Sequence, residues 1–199
     1  MNFQCFNFQL IIVKLVIDCQ PKADQPMRRK NRYLIIENYY NISMNYPFQY
    51  SNQHHAQACA LFCMDFRFKD ETLKYLKEEL NLKDLDIITA AGASKNIADP
   101  KVLTDYQFVT RQIEISIQLH EIDKIILINH ANCGAYGSRE FFGGADKEKA
   151  VHAKDLLKSK KLLEKRFAEQ EIVLIYANLI NEAIVFEKIK NNYPQVSLK

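Results

Sequence analysis

The sequence predicts an α/β domain, with a mainly parallel central sheet flanked by helices and a candidate antiparallel edge strand. Three observations predict it. Four short apolar runs have strand length and no helical spacing: ACALFC, DIITA, KIILIN and EIVLIY. Amphipathic stretches of helical period separate them. Each of the first three runs ends in a loop carrying small, thiol or imidazole residues. Strands alternating with helical stretches imply crossover units and a parallel sheet.

The elements follow in order. Ala58–Cys63 is a continuous apolar run, as expected of a strand buried on both faces. Asp70–Asn81 places Leu73, Leu76 and Leu80 at helical spacing. Asp86–Ala90 is a second strand that ends in Ala91-Gly92-Ala93-Ser94. Val102–Glu121 reads as a long helix behind Pro100, with Val102, Tyr106, Val109, Ile113 and Ile117 in one stripe. Lys124–Asn129 is a third buried strand, closed by His130. Gly134, Gly137, Gly143 and Gly144 mark a loop region with room for a short helix. Asp146–Gln170 is a charged amphipathic helix with Ala153, Leu156, Leu163 and Phe167 inward. Glu171–Tyr176 is a fourth strand, and Ala183–Lys188 is placed to return beside it as the antiparallel edge. Right-handed crossovers would make the sheet doubly wound. Chemistry in such sheets collects at the C-terminal strand ends, where strand order reverses.

Composition removes other classes. With 48% apolar and 26% charged residues in 199, a normal core can form and global disorder is excluded. The net charge of +3 is unevenly placed. Residues 1–50 hold six Lys/Arg and three acids, whereas residues 51–199 hold 21 of each and are neutral. The body therefore offers no general argument for nucleic-acid binding. Residues 1–50 read as an N-terminal extension, disordered or produced by an upstream start (Met27 or Met44 would begin a shorter chain). Residues 51–199 read as the functional domain. The longest apolar run, Leu10–Val13 with Leu15–Ile17, is broken by Lys14 and too short to span a bilayer. Lys14 also sits inside what would be the apolar core of a signal peptide, and no basic segment precedes it. The five cysteines are scattered without a disulfide framework, which points to a reducing cytoplasm.

Three strand exits carry the chemistry: Cys63-Met64-Asp65-Phe66-Arg67, Ala90 through Lys95, and His130-Ala131-Asn132-Cys133-Gly134. The topology brings them to one sheet edge. Cys63, His130 and Cys133 form a Cys…His-x-x-Cys set. Thiolate and imidazole are preferred zinc ligands, and three protein ligands leave a fourth position for water. Singly, Cys63 reads equally as a small buried hydrophobe and His130 as a hydrogen-bonded turn residue. Asp65 has two open roles: to bind the metal and close the fourth position, or to pair with Arg67 and leave it free.

In combination, Cys63–Arg67 and His130–Gly134 resemble the zinc pattern of the β-class carbonic anhydrases, C-x-D-x-R followed by H-x-x-C-G. The stretches LFCMDFRF, TAAGASKN and IILINHANCGAYG are most similar to a compact branch of putative carbonic anhydrases, over roughly residues 57–190. The resemblance implies a sheet of order 2-1-3-4 and a Zn2+ ion held by Cys63, His130 and Cys133. It implies reversible hydration of carbon dioxide to bicarbonate by a zinc-bound hydroxide. Asp65 would orient that hydroxide while Arg67 holds Asp65 off the metal. The backbone at Gly92 and Gly134 would approach the site. Homodimers or higher homo-oligomers are expected, with no nucleic-acid or membrane partner.

The chain departs from the common family pattern in three places. Phe66 replaces a serine, the loop after strand two reads AAGASK, and Asn132 replaces an aspartate. These changes touch the substrate pocket rather than the ligand set. A carbonyl sulfide or carbon disulfide hydrolase on the same scaffold, and a non-catalytic zinc-binding regulatory module, are the competing readings. Tyr136, His120 and His152 are candidate proton shuttles. His54 and His55 read as a solvated pair or a second metal site. A cysteine phosphatase would need C-x5-R, whereas Cys63 and Arg67 stand at C-x3-R.

Overall fold

A computed structural model describes residues 52–193. The reading of residues 1–50 as an extension, with its alternative starts and its excess of Lys and Arg, lies outside the described residues. So do residues 194–199.

The elements are β1 (Ala58–Phe62), α1 (Phe66–Glu78), β2 (Leu85–Thr89), α2 (Lys95–Ala98), α3 (Leu103–His120), β3 (Lys124–His130), α4 (Ser138–Phe142), α5 (Ala145–Arg166), β4 (Glu171–Ile180) and β5 (Ala183–Lys188). A 3-10 turn at Gly134–Tyr136 follows β3. One five-stranded sheet has the order β2-β1-β3-β4-β5. The first four strands are parallel, and β5 is antiparallel to β4. The expected order and antiparallel edge are both present.

Strand alternation divides the core. In β1, Cys59 and Leu61 face one layer while Ala58, Ala60 and Phe62 face the other. In β3, Ile125 and Leu127 join the first layer, and Ile126 and Ile128 the second. Helices α3 and α5 cover the first face through Val109, Ile113, Ala153, Leu156 and Leu163. Helix α1 covers the second through Phe68 and Leu76. This explains the unbroken apolar runs in the sequence: strands β1 and β3 are buried on both sides. Leu156 has no exposed surface. Leu156→Ala should therefore lower unfolding stability by about 2–5 kcal/mol, read from a denaturant midpoint at constant slope.

The ends of two elements differ from the sequence expectation. Helix α1 begins at Phe66 rather than Asp70, because the Asp65 side chain caps it by accepting from the Arg67 N–H at 3.0 Å. Strand β4 continues to Ile180 rather than stopping at Tyr176. Pairing with β5 sustains it through a two-residue turn in which Asn181 (φ 48°) and Glu182 (φ 63°) are both left-handed. In α3 the expected stripe holds at Val109 and Ile113, but Val102 is the N-cap residue and is 52% exposed.

Register sets the site. Phe62 lies opposite Thr89 on one side and Ile128 on the other, so β1 and β2 end at one level and β3 runs two residues further, to His130. Strand order reverses between β1 and β3, and the chain leaving β1 runs to α1 on one face while the chain leaving β3 runs to α5 on the other. Cys63 and His130 emerge at that reversal, the general position for a site in an open α/β sheet. No described helix is long and apolar enough to cross a membrane.

Candidate metal centre

The ligand atoms of Cys63, His130 and Cys133 lie within 4.8 Å of one another, and all three residues are buried. Among the described residues this is the one such group placed to hold a metal ion. The two Sγ atoms are 3.9 Å apart and both cysteines are free. Tetrahedral metal–sulfur bonds of about 2.3 Å require a separation of about 3.8 Å, so the spacing suits a shared ion. A disulfide would need about 2.05 Å.

His130 is prepared as a ligand by its other nitrogen. Nδ1 lies 2.8 Å from the Ala131 carbonyl oxygen, which can only accept, so Nδ1 carries the proton. The neutral ring then presents a lone pair at Nε2, the usual arrangement for a metal-binding histidine. Nε2 is buried and has no hydrogen-bond partner. A buried nitrogen without a partner is costly, and an ion between it and the thiols would remove that cost. The Phe68 ring, 4.2 Å away centroid to centroid, fixes the imidazole plane.

The thiols are electrostatically unequal. Cys63 is lowered from its ordinary value by the hydrogen bond from Cys133, aided by His130 and by the Gly92 N–H at 3.4 Å. Cys133 is raised by its bond to Cys63 and by burial. The first proton leaves the pair readily, and the second is retained against a neighbouring thiolate unless a cation replaces it. Cys59, by contrast, is pushed up to about 12 by burial and behaves as core.

Gly92 meets two demands at once. Its φ is 78°, and an added Cβ would lie 3.0 Å from the Ala135 Cβ. Its amide can therefore reach Cys63 only from a residue without a side chain. Gly134 has no such constraint, since a Cβ there meets nothing within 4 Å among the described residues.

Asp65 turns towards Arg67. The Arg67 Nε donates to Oδ1 at 2.9 Å, and Nη2 donates to Oδ2 at 2.5 Å. This guanidinium holds the Asp65 carboxyl down at about 2. The same Oδ2 is only 3.9 Å from His130 Nε2. The carboxylate thus sits beside the ligand group while its lone pairs are engaged by arginine.

The candidate shuttles occupy two different environments. His152 is fully buried between the Tyr136 and Tyr176 rings, and burial holds its imidazole down at about 3. Tyr136 is also buried and accepts a hydrogen bond from Asn129 Nδ2 at 3.1 Å. His120 ends α3, bonded to Asp86 at 2.7 Å, at the opposite sheet edge. There it lines a cavity with His54 and His55. His55 reaches Asp123 at 3.8 Å.

Sequence reasoning missed the support of the site. Asn129 Oδ1 accepts from the Ser94 Oγ at 2.8 Å, which ties the second loop to β3. Glu148, fully buried, accepts from the Asn132 N–H. No local signal marks these residues, because their partners are remote in the chain.

Residues 53–190 match the family model described as "Putative carbonic anhydrase". An uncharacterized protein of Rickettsia bellii (strain RML369-C) is 30% identical over 142 residues, covering 70% of this chain and 85% of that protein. An uncharacterized protein of Rickettsia conorii is 32% identical over 131 residues, covering 61% and 70%. Among solved structures, a carbonic anhydrase from Streptococcus mutans is similar with a TM-score of 0.48 at 18% identity, covering 72% of this chain and 88% of the other. A β-carbonic anhydrase from Trichomonas vaginalis gives 0.47 at 14% identity, covering 74% and 90%.

Proposed function

The chain belongs to the family of putative carbonic anhydrases, and on that premise we propose that it is a zinc enzyme that reversibly hydrates carbon dioxide to bicarbonate. The observation that carries the reading is the buried Cys63–His130–Cys133 group with its unpartnered Nε2. Two thiolates and a neutral imidazole suit zinc, and the three leave one tetrahedral position for water. Zinc bound there would supply Lewis acidity, making water a nucleophile near neutral pH.

The chain's own residues do the rest. Asp65, held well below the ordinary carboxylate range by Arg67, is ionised at any working pH and can only accept hydrogen bonds. It would accept a hydrogen bond from the attacking oxygen and so direct that oxygen's lone pair at carbon. Arg67 keeps both Asp65 oxygens occupied, so the carboxylate does not fill the fourth position. The Gly92 N–H stabilises the Cys63 thiolate from outside the ligand set. The backbone at Gly134, which opens the turn after Cys133, is assigned to substrate approach. A homodimer or higher assembly working in the cytoplasm belongs to the same proposal.

Two observations weigh against the regulatory alternative. The pairing of Asp65 with Arg67 favours an open fourth position. Phe66 is 84% exposed, so it plugs no pocket within its own protomer. Carbonyl sulfide hydrolysis would use the same groups. The test is stopped-flow carbon dioxide hydration with metal analysis on the same sample, run beside carbonyl sulfide turnover. Carbon dioxide hydration well above the uncatalysed rate is expected. A preparation with one zinc per chain that turns over neither substrate would overturn the enzymatic reading.

A further inference from the structure

Asn132 stands between the two ligand residues His130 and Cys133, and its backbone is left-handed (φ 55°). Asparagine takes this conformation more readily than other non-glycine residues, and three groups fix it here. The Asn132 N–H donates to Glu148 Oε1 at 2.5 Å. Its carbonyl accepts from Arg67 Nη2 at 3.2 Å. Its side-chain Oδ1 accepts from the Arg139 N–H at 3.4 Å.

Glu148 is the anchor of this arrangement. It has no exposed surface, and its second oxygen accepts from Arg139 Nε at 3.1 Å. Arg139 in turn donates through Nη2 to the Leu179 carbonyl at 3.5 Å, near the end of β4. A continuous set of contacts therefore runs from α5 and β4 through Glu148 to Asn132, then to Arg67 and Asp65. The Arg67 Nη2 that grips Asp65 is the same atom that reaches the Asn132 carbonyl. A buried ion pair contributes little net stability over hydrocarbon of equal size, but removing one partner leaves the other an uncompensated buried charge.

We propose that Glu148, paired with Arg139, is a positioning residue. It holds the Asn132 turn so that His130 and Cys133 face a common ion and Arg67 keeps Asp65 withdrawn. This inference rests on the metal-site reading above. It adds a control point on α5 that touches no ligand atom itself. In Glu148→Gln one oxygen becomes an NH2 group. Either the Asn132 N–H or the Arg139 Nε then faces a donor instead of an acceptor.

The test is titration of metal-stripped protein with cobalt(II), whose visible bands report the number and type of ligands. The wild type is expected to bind one cobalt per chain with thiolate charge-transfer absorption. Glu148→Gln should bind about 10–100-fold more weakly. Its visible bands should shift in the same direction as those of Arg67→Ala, as Asp65 enters the coordination sphere. Wild-type affinity and wild-type bands in a Glu148→Gln protein of native circular dichroism would overturn the proposal. Should that variant not fold, Arg139→Ala is read the same way, since Arg139 is partly exposed and its loss leaves Glu148 uncompensated. Unchanged cobalt bands in Arg139→Ala would then overturn it. Absence of cobalt binding by the wild type would remove the metal-site reading as well. Equal binding by wild type and variant removes only the role of Glu148.

Discussion

Cys63→Ser should carry essentially no zinc, whereas the wild type purified under reducing conditions without chelator should carry about one per chain. Elemental analysis of the two samples measures it. Zinc binding worth about 10–16 kcal/mol would rest here on three protein ligands, so one lost thiolate removes roughly 3–5 kcal/mol, or about several hundred- to several thousandfold in affinity. The loss is sharpened by the coupling within the pair. Cys63 is the sulfur lowered by its neighbours, through the hydrogen bond from Cys133, then His130 and the Gly92 amide. A serine hydroxyl in its place offers no comparable anion. The fold should survive, because the change conserves volume at a strand exit and leaves both core layers untouched. Native circular dichroism in the variant separates metal loss from unfolding. A metal-free wild type would refute the site outright.

Arg67→Ala should keep its zinc and lose about 10–100-fold in hydration rate. Arginine engages both Asp65 oxygens, one of which lies 3.9 Å from His130 Nε2. Released, the carboxylate has a short path to the fourth position. The same variant carries a pH signature. Asp65 sits at about 2 in the folded protein against an ordinary 3.8, so the folded state binds its proton less tightly than the unfolded chain. That contribution to stability is complete above the unfolded value and fades as pH falls through about 2. Without Arg67 the Asp65 carboxyl should return towards its ordinary range, shrinking the acid-side contribution. Undiminished turnover in Arg67→Ala would take this residue out of the mechanism.

The parts legible in the sequence share one property, which is dependence on short windows of chain. The apolar runs at residues 58–63 and 124–129 announced strands buried on both faces. Glycines and ligand types at the strand exits marked the candidate metal centre. The ends of α1 and β4 were less legible because each is set by a partner. For α1 it is the Asp65 side chain folding back onto the Arg67 amide. For β4 it is the hairpin partner β5. The inward stripe of α5 was half read: Ala153, Leu156 and Leu163 are in the core as expected. Yet the same helix buries Glu148, His152, Asp155 and Ser159. At i, i+4, i+7 and i+11 these polar residues form a second stripe, which in sequence looks like a solvated face. Only their partners distinguish them. Ser159 donates to the Ser94 carbonyl at 3.0 Å, and Glu148 meets Asn132 and Arg139.

The amino-acid sequence by itself determined the α/β class, the identity of Cys63, His130 and Cys133 as candidate ligands, and Asp65 with Arg67 as their neighbours. Hydrophobic period and ligand chemistry are local properties that each residue carries into any fold. Tertiary structure alone decided that Asp65 leans to Arg67 rather than into the ligand group, and that His130 offers Nε2 rather than Nδ1. It alone decided that Glu148 is buried against Asn132. Each of these is a choice between alternatives of similar local energy. It is settled by burial and by donors or acceptors that only the folded chain brings within reach.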